Sequence, residues 1–142
     1  MAVRFYVDAD ILGLAKLLVT VRADVTYPGD PGGRGIDGLI RAPCPIHPGE
    51  KDTVWLPQVA AQGWVILTRD RRLRSRPAER QAILDNGAKV VILESRASLS
   101  KWGQLEVVVP RWRRFEELAD LPGPWLYVAT RSGLRSQELH PA

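Results

Sequence analysis

Residues 64–73, WVILTRDRRL, carry the clearest fold signal in this sequence. Residues 64–68 are apolar or β-branched without a break, a pattern typical of a strand buried on both faces of a parallel sheet. The charged residues that follow end this strand abruptly. Their position therefore predicts polar side chains at the carboxyl edge of the sheet, where open α/β sheets bind their ligands.

Strands and helices alternate on both sides of this central run. Apolar and β-branched residues predict strands at 3–7, 25–27, 89–93 and 107–109. Helical spacing of apolar residues, with capping and glycine signals, predicts helices at 11–18, between 52 and 63, at 77–86 and at 112–120. The alternation favours an α/β fold, a three-layer α/β/α sandwich with a mostly parallel central sheet.

Three segments depart from this simple pattern. Pro57 lies inside the helix predicted between 52 and 63, so this helix either kinks at the proline or begins near Leu56. Residues 28–49 hold five prolines and six glycines, which exclude a continuous helix or strand and predict a long loop. Residues 125–130 and 134–139 flank Arg-Ser-Gly and predict a short C-terminal hairpin.

Length and composition narrow the class of protein. The 142 residues fit a single domain over 1–142, with 95–142 as a C-terminal extension. One cysteine excludes an internal disulfide framework. No apolar run approaches the roughly 20 residues of a membrane span, and the N-terminus lacks a secretory pattern, so we expect no membrane partner and a cytoplasmic location. The sequence has no glycine-rich phosphate loop with a lysine.

Three aspartates are predicted to meet at the carboxyl edge of the sheet. Asp8 follows the first strand, Asp70 follows the central strand, and Asp52 lies at the start of the helix that leads into the central strand. Three neighbouring carboxylates repel one another, and a hard divalent cation relieves that repulsion. The convergence therefore predicts a site for Mg²⁺ or Mn²⁺.

Each acidic residue also has a purely structural interpretation. Asp10 is a good N-cap for the first helix, and Asp52 is an equally good cap for its own helix. Asp70 would, in the same way, begin a turn or pair with a neighbouring arginine. Asp8 is the hardest to explain in this way because it directly follows a buried strand. Taken together, the acidic residues favour a metal site over coincidental caps.

Arginines surround the predicted site. The chain has a net charge of +4 with 16 arginines against 4 lysines, and residues 68–76 alone contain five arginines. Arginine forks match phosphate oxygens, so a positive collar beside an acidic metal centre suits a nucleic-acid substrate. The alternative is a solvated charge run with no ligand.

The sequences FYVD at 5–8 and WVILTRDRRL at 64–73, with the helix at 11–18, resemble a PIN-type ribonuclease domain of the compact PIN-like group. The resemblance spans roughly residues 3–93. It implies that Asp8, Asp52 and Asp70 are the catalytic and metal-binding acids and that Thr68 supports them by a hydrogen bond to a carboxylate or a water. PIN domains usually add a fourth carboxylate, for which the candidates are Asp10, Asp30 and Glu50, with Asp10 preferred as a metal ligand.

The same resemblance implies a function. It predicts a Mg²⁺- or Mn²⁺-dependent endoribonuclease, the toxin of a toxin–antitoxin module, with RNA, a cognate antitoxin and a second copy of the chain as partners. The residues expected to grip the RNA are Arg69, Arg71, Arg72 and Arg74. One alternative is a catalytically silent PIN-like module that binds RNA or protein. Another is a receiver-like phospho-signalling domain, which Lys89 argues against because it begins its strand and does not follow it.

Overall fold

A mostly parallel sheet with helices on both faces forms the framework of the chain. The computed structural model describes residues 2–35, 38–94 and 98–141. Its strands are β1 (Phe5–Val7), β2 (Val25–Thr26), β3 (Gly33–Arg34), β4 (Ile40–Arg41), β5 (Val65–Thr68), β6 (Lys89–Leu93), β7 (Trp125–Ala129) and β8 (Leu134–Gln137). Its helices are α1 (Leu12–Leu18), α2 (Asp52–Ala61), α3 (Arg72–Ser75), α4 (Pro77–Asn86), α5 (Lys101–Val108) and α6 (Trp112–Ala119), with short 3-10 turns at Ala9–Ile11 and Val109–Arg111.

Within the described residues, six strands form the main sheet in the order β2-β1-β5-β6-β7-β8. Neighbours are parallel from β2 to β7, and only the β7–β8 pair is antiparallel. The predicted C-terminal hairpin is therefore present, and its first strand is also a parallel member of the main sheet. The predicted α/β fold with a mostly parallel sheet is confirmed.

Both faces of the sheet are buried, as the unbroken apolar strands require. In β6, Val91 and Leu93 pack against α1, α5 and α6, whereas Val90 and Ile92 pack against α2 and α4. Strands β1 and β5 alternate in the same way. The result is the predicted three-layer sandwich, in which the central strands lie between two apolar cores.

One predicted strand is wrong. Residues 107–109 end α5 and begin the 3-10 turn that follows it. Val107 and Val108 are both buried while Val109 is exposed, and adjacent buried residues fit a helix face, whereas a strand buried on one face would alternate. Ser100 caps this helix by accepting a hydrogen bond from the Gly103 N–H. The place beside β6 is taken by β7.

The helix that contains Pro57 begins at Asp52, so the alternative start near Leu56 is wrong. Proline removes one hydrogen bond from a helix interior. Burial of Trp55, Leu56 and Val59 against the sheet offsets that loss.

The proline- and glycine-rich segment 28–49 contains a small hairpin, β3–β4, and is anchored by a buried ion pair. Arg41 and Asp30 are both buried, and the Arg41 guanidinium donates to both carboxylate oxygens of Asp30. Arg41 also donates to the Val25 carbonyl at 3.1 Å, and Asp30 accepts from the Thr26 hydroxyl at 3.2 Å. These contacts fasten the loop to the edge strand β2.

Parallel strands bring their carboxyl ends to one edge of the sheet. Asp8 follows β1, Arg69 follows β5, Glu94 follows β6 and Thr130 follows β7, all at this edge. None of the helices in the three described ranges is long and apolar enough to cross a bilayer.

Candidate functional site

A cleft of about 550 Å³ opens at the carboxyl ends of β1 and β5. Among the described residues, five acidic side chains line it, and they come from three separate parts of the chain: Asp8, Asp10, Glu50, Asp52 and Asp70. Such a concentration of like charge is costly in a partly desolvated space. The cleft is therefore the candidate site, and each acidic residue needs a separate account.

Asp8 is held by the end of β1. Its N–H donates to the Leu67 carbonyl at 2.9 Å, which continues the β1–β5 ladder by one residue. Its carboxylate accepts hydrogen bonds from the Ala9 N–H at 2.7 Å and from the Thr68 hydroxyl at 2.9 Å. Burial raises the pKa of Asp8 above its usual value despite these bonds, and repulsion from Asp52 and Asp70 adds to the rise.

Asp10 faces the same strand end from the 3-10 turn that precedes α1. Its carboxylate accepts from the Arg69 N–H at 3.1 Å and lies 3.5 Å from the Thr68 hydroxyl. The structural interpretation of Asp10 as N-cap is wrong, because Ile11 occupies that position of α1 and Asp8 caps the turn. Desolvation of the carboxyl group, with repulsion from Asp8, raises the pKa of Asp10 to about 6.

Thr68 joins these acids to Asp70. It is fully buried at the end of β5, where its hydroxyl accepts from the Asp70 N–H at 3.1 Å and donates to Asp8. A hydroxyl has one proton to donate, so the longer distance to Asp10 marks a secondary contact. The spacing of Thr68 and Asp70 therefore couples the end of β1 to the end of β5.

Asp70 forms an ion pair with Arg72. The Arg72 guanidinium donates to both of its carboxylate oxygens, at 2.8 to 3.1 Å, and the Arg72 N–H donates to one of them at 3.0 Å. These bonds hold the pKa of Asp70 below its usual value. Asp70 thus has both contacts that the structural interpretation foresaw, a turn and an arginine partner, while it also lines the cleft.

Asp52 is the first residue of α2. Its carboxylate accepts from the Trp55 indole N–H at 2.9 Å, and its second oxygen lies 3.9 Å from the Arg72 guanidinium. Arg72 therefore stands between Asp70 and Asp52. The guanidinium supplies positive charge at a place where a metal-binding acid pair would hold a cation.

The structure places the three candidates for the fourth carboxylate in different surroundings. Asp30 is wrong because it is buried against Arg41 in the loop. Glu50 lines the cleft, and its Oε2 is buried without a hydrogen-bond partner in the part of the chain that the structure describes. Glu50 lies two positions before Asp52, and this closeness in sequence could have indicated that Glu50 lines the same cleft. The preference for Asp10 rested on its closeness to Asp8 in the sequence.

The oxygen atoms that line the cleft are of the chemical type that binds a hard divalent cation. Carboxylate and hydroxyl oxygens are the ligands that Mg²⁺ and Mn²⁺ prefer, and the unpaired Glu50 oxygen adds another at the same cleft. In their present positions, the described His, Cys, Asp and Glu side chains do not form a ligating group of three. Arg72 explains part of this, because it draws Asp70 toward itself.

The arginines predicted to bind RNA divide between two places. Arg69, Arg71 and Arg72 line the acidic cleft. Arg74 is half-buried and donates to Glu94 at 2.7 Å, farther along the carboxyl edge. Three of the four arginines thus lie together at the acidic cleft, where Arg72 pairs with Asp70, and Arg74 pairs with Glu94 outside it.

Comparison with known proteins agrees with this arrangement. The model of a family described as "PIN like domain" matches residues 34–95, which include Asp52, Thr68 and Asp70 and leave Asp8 outside the match. Neither the curated proteins nor the solved structures include a match to this chain. The fold and the carboxyl-edge cleft agree with this match, and over residues 34–95, somewhat under half of its length, the chain is similar to a PIN-like domain.

Proposed function

We propose that this chain is a divalent-metal-dependent ribonuclease whose acidic cleft hydrolyses RNA phosphodiester bonds. PIN-like domains are commonly nucleases. The observation that carries the proposal is the convergence of five carboxylates in one cleft of such a domain. A cleft with this charge needs a cation before it can accept a phosphate, and a bound cation makes the two compatible.

Asp8 and Asp70 would hold Mg²⁺ or Mn²⁺, with Asp10, Glu50 and Asp52 as further oxygen ligands. When bound, such an ion lowers the pKa of its water and neutralises charge on the attacked phosphate. Thr68 would keep the Asp8 carboxylate oriented by donating its hydroxyl proton at 2.9 Å. Asp10, whose pKa is about 6 in the metal-free cleft, would release its proton when it ligates the cation.

The surrounding side chains suit a nucleic-acid backbone. Arg69 and Arg71 lie at the cleft with side chains capable of bidentate phosphate contact. Tyr6 and Trp55 form its apolar wall, with ring centroids 5.2 Å apart. Burial and repulsion from Asp8 raise the pKa of Tyr6 far above its usual value, so its phenol stays neutral beside the acids.

The test compares Asp70→Asn and Asp8→Asn with the control Asp85→Asn, an exposed residue of α4 that accepts a hydrogen bond from Gln81. Each protein is incubated with a mixed structured RNA pool in Mg²⁺, Mn²⁺ or chelator, and Mn²⁺ binding is followed by electron paramagnetic resonance. We expect metal-dependent cutting by the parent and the control and none by the two site variants. Equal cutting by parent and Asp70→Asn would refute the assignment.

The second candidate is a catalytically silent PIN-like module. The contact that favours it is the Arg72 guanidinium, which already neutralises Asp70 and approaches Asp52. A silent module predicts weak Mn²⁺ binding and no cutting by the parent. Whether an active enzyme serves as the toxin of a toxin–antitoxin module, with an antitoxin or a second copy bound, stays a prediction from the sequence.

A further inference from the structure

A second cleft, of about 660 Å³, lies beside the acidic one on the same edge of the sheet. Its walls come from the ends of β6 and β7, from the turn between β7 and β8, and from Arg71. The turn and β8 belong to the C-terminal part of the chain, outside the family match at 34–95. Arg71 and Glu94 lie within the match, and the other described lining residues lie outside it.

The charge of this second cleft is opposite to that of the first. Three arginines, Arg71, Arg131 and Arg135, line it, and Glu94 is the single acidic residue among its described lining residues. Glu94 is already neutralised, because Arg74 donates to it at 2.7 Å and Arg135 at 3.1 Å. The cleft as a whole is therefore basic.

Its polar groups suit a phosphate. The side chains of Arg131 and Arg135 are 62% and 55% exposed, so their ion pairs with Glu106 and Glu94 are screened and easily exchanged for another anion. The hydroxyls of Thr130 and Ser132 are hydrogen-bonded to each other at 3.0 Å, so the one that accepts keeps its own proton to donate to an anion. Arginine forks with nearby hydroxyls are a common way to bind phosphodiester oxygens.

Arg71 connects the two clefts, since it lines both. We propose that the basic cleft binds the backbone of single-stranded RNA next to the phosphate that the acidic cleft attacks; this inference rests on the proposed function. One continuous strand would then pass from Arg131 and Arg135, past Arg71, to the acidic residues. The C-terminal hairpin is thereby a substrate-binding element.

The same basic cleft would also attract an acidic peptide, but two features favour RNA. Leu99 is the only apolar side chain among its described lining residues, whereas a peptide interface depends on buried apolar anchors. An acidic peptide that continued along the edge would also meet five carboxylates, which repel it. An RNA strand can occupy both clefts, because its backbone phosphates would bind the arginines while its reacting phosphate would bind at the metal site.

The test measures RNA binding without cleavage. A fluorescent single-stranded RNA of about eight nucleotides is titrated in chelator and again in Ca²⁺, a hard cation whose charge offsets the carboxylates of the acidic cleft, with the RNA checked intact on a gel and fluorescence anisotropy read at several salt concentrations. The variant is Arg131→Gln/Arg135→Gln, and the matched control is Lys16→Gln/Arg113→Gln, which removes the same charge from exposed positions on α1 and α6. Thermal unfolding of each protein checks that the fold is kept.

Loss of two phosphate contacts should reduce the slope of log affinity against log salt by about 1.4, at about 0.7 per contact for a single strand. Because this contribution vanishes near 1 M salt, binding at 0.1 M salt should weaken about 25-fold. The control should bind like the parent apart from a small uniform loss. A fluorescent oligo-aspartate is titrated in parallel.

Each outcome decides the proposal. A reduced slope and weaker RNA binding in the cleft variant alone support it. Equal binding by the cleft variant and the control overturns it, as does tighter binding of oligo-aspartate than of RNA, which would assign the cleft to a protein partner. No RNA binding by the parent also overturns it. The nuclease proposal is judged separately, by metal-dependent cutting and by Asp70→Asn.

Discussion

Replacing Arg41 by methionine tests whether the buried ion pair holds the loop at 28–49 in place. Methionine keeps much of the length and apolar stem of arginine but removes the guanidinium that donates to Asp30 and to the Val25 carbonyl. Asp30 would stay buried, at 2% exposure, without its cation. Breaking a buried pair by removing one partner typically costs about 3–5 kcal/mol, mainly because an uncompensated charge is left inside.

The assay is urea and thermal unfolding followed by tryptophan fluorescence. For a chain of this size, a loss of that magnitude corresponds to a fall in Tm of about 10 °C or more. The double variant Asp30→Asn/Arg41→Met removes both charges and keeps an oxygen for the Gly32 N–H, which now donates to Asp30 at 2.9 Å. It should recover a large part of the loss, since neither charge is then left unpaired.

The matched control is Arg34→Met, in the same small hairpin. Arg34 is exposed and donates to the Gly38 carbonyl at 3.3 Å, so its replacement should change stability by no more than about 0.5 kcal/mol. If Arg41→Met costs less than about 1 kcal/mol, or if the double variant is no more stable than Arg41→Met, the argument that this pair anchors the loop is refuted.

The remaining predictions concern the acidic cleft. Thr68→Val should lower Mn²⁺ affinity about 10- to 100-fold, because Asp8 loses the hydroxyl that orients it; affinity close to the parent's would count against that role. The pKa of Asp10 is raised from its usual 3.8 to about 6 in the folded protein, so between these pH values the folded protein binds more protons than the unfolded chain. The free energy of unfolding of the metal-free protein therefore falls as pH rises through this window. Asp10→Asn should therefore gain stability relative to the parent between pH 4 and 7 in urea titrations, and a pH-independent difference would contradict the shift. Arg72→Gln should raise Mn²⁺ affinity and bring the pKa of Asp70 back up toward its usual value, measured by calorimetry and carboxyl NMR; unchanged or weaker affinity would show that Arg72 does not compete with the metal.

Local sequence rules predict the framework of this fold well. The unbroken apolar runs at β5 and β6 identify buried central strands because a strand covered on both faces has no polar side to show. The helix α4 begins at Pro77 and ends before Gly87, whose φ of +62° is the left-handed conformation that glycine adopts without strain. These are properties of a few adjacent residues, so they can be read before any tertiary contact is known.

Position at the carboxyl edge is also predictable, for a topological reason. Asp8 and Asp70 follow neighbouring parallel strands, and strands that run the same way end at the same edge. Both acids therefore line one cleft, and Asp52 joins them from the helix that leads into β5. The three residues that the sequence predicts to converge line the same cleft in the structure.

Only the tertiary structure decides the identity of the remaining partners. Val107 and Val108 end a helix and β7 pairs with β6, and the local sequence pattern does not predict which of these segments pairs with β6. Asp30 and Glu50 are both acidic residues of the same proline- and glycine-rich part of the sequence, and nothing local distinguishes their roles. In the folded chain Asp30 pairs with Arg41, whereas Glu50 lines the acidic cleft. The sequence alone determined which strands are buried and where their ends carry acids, because burial pattern and strand direction are local properties. Long-range packing decided which side chains meet, because the energy of a buried charge depends on partners from distant parts of the chain.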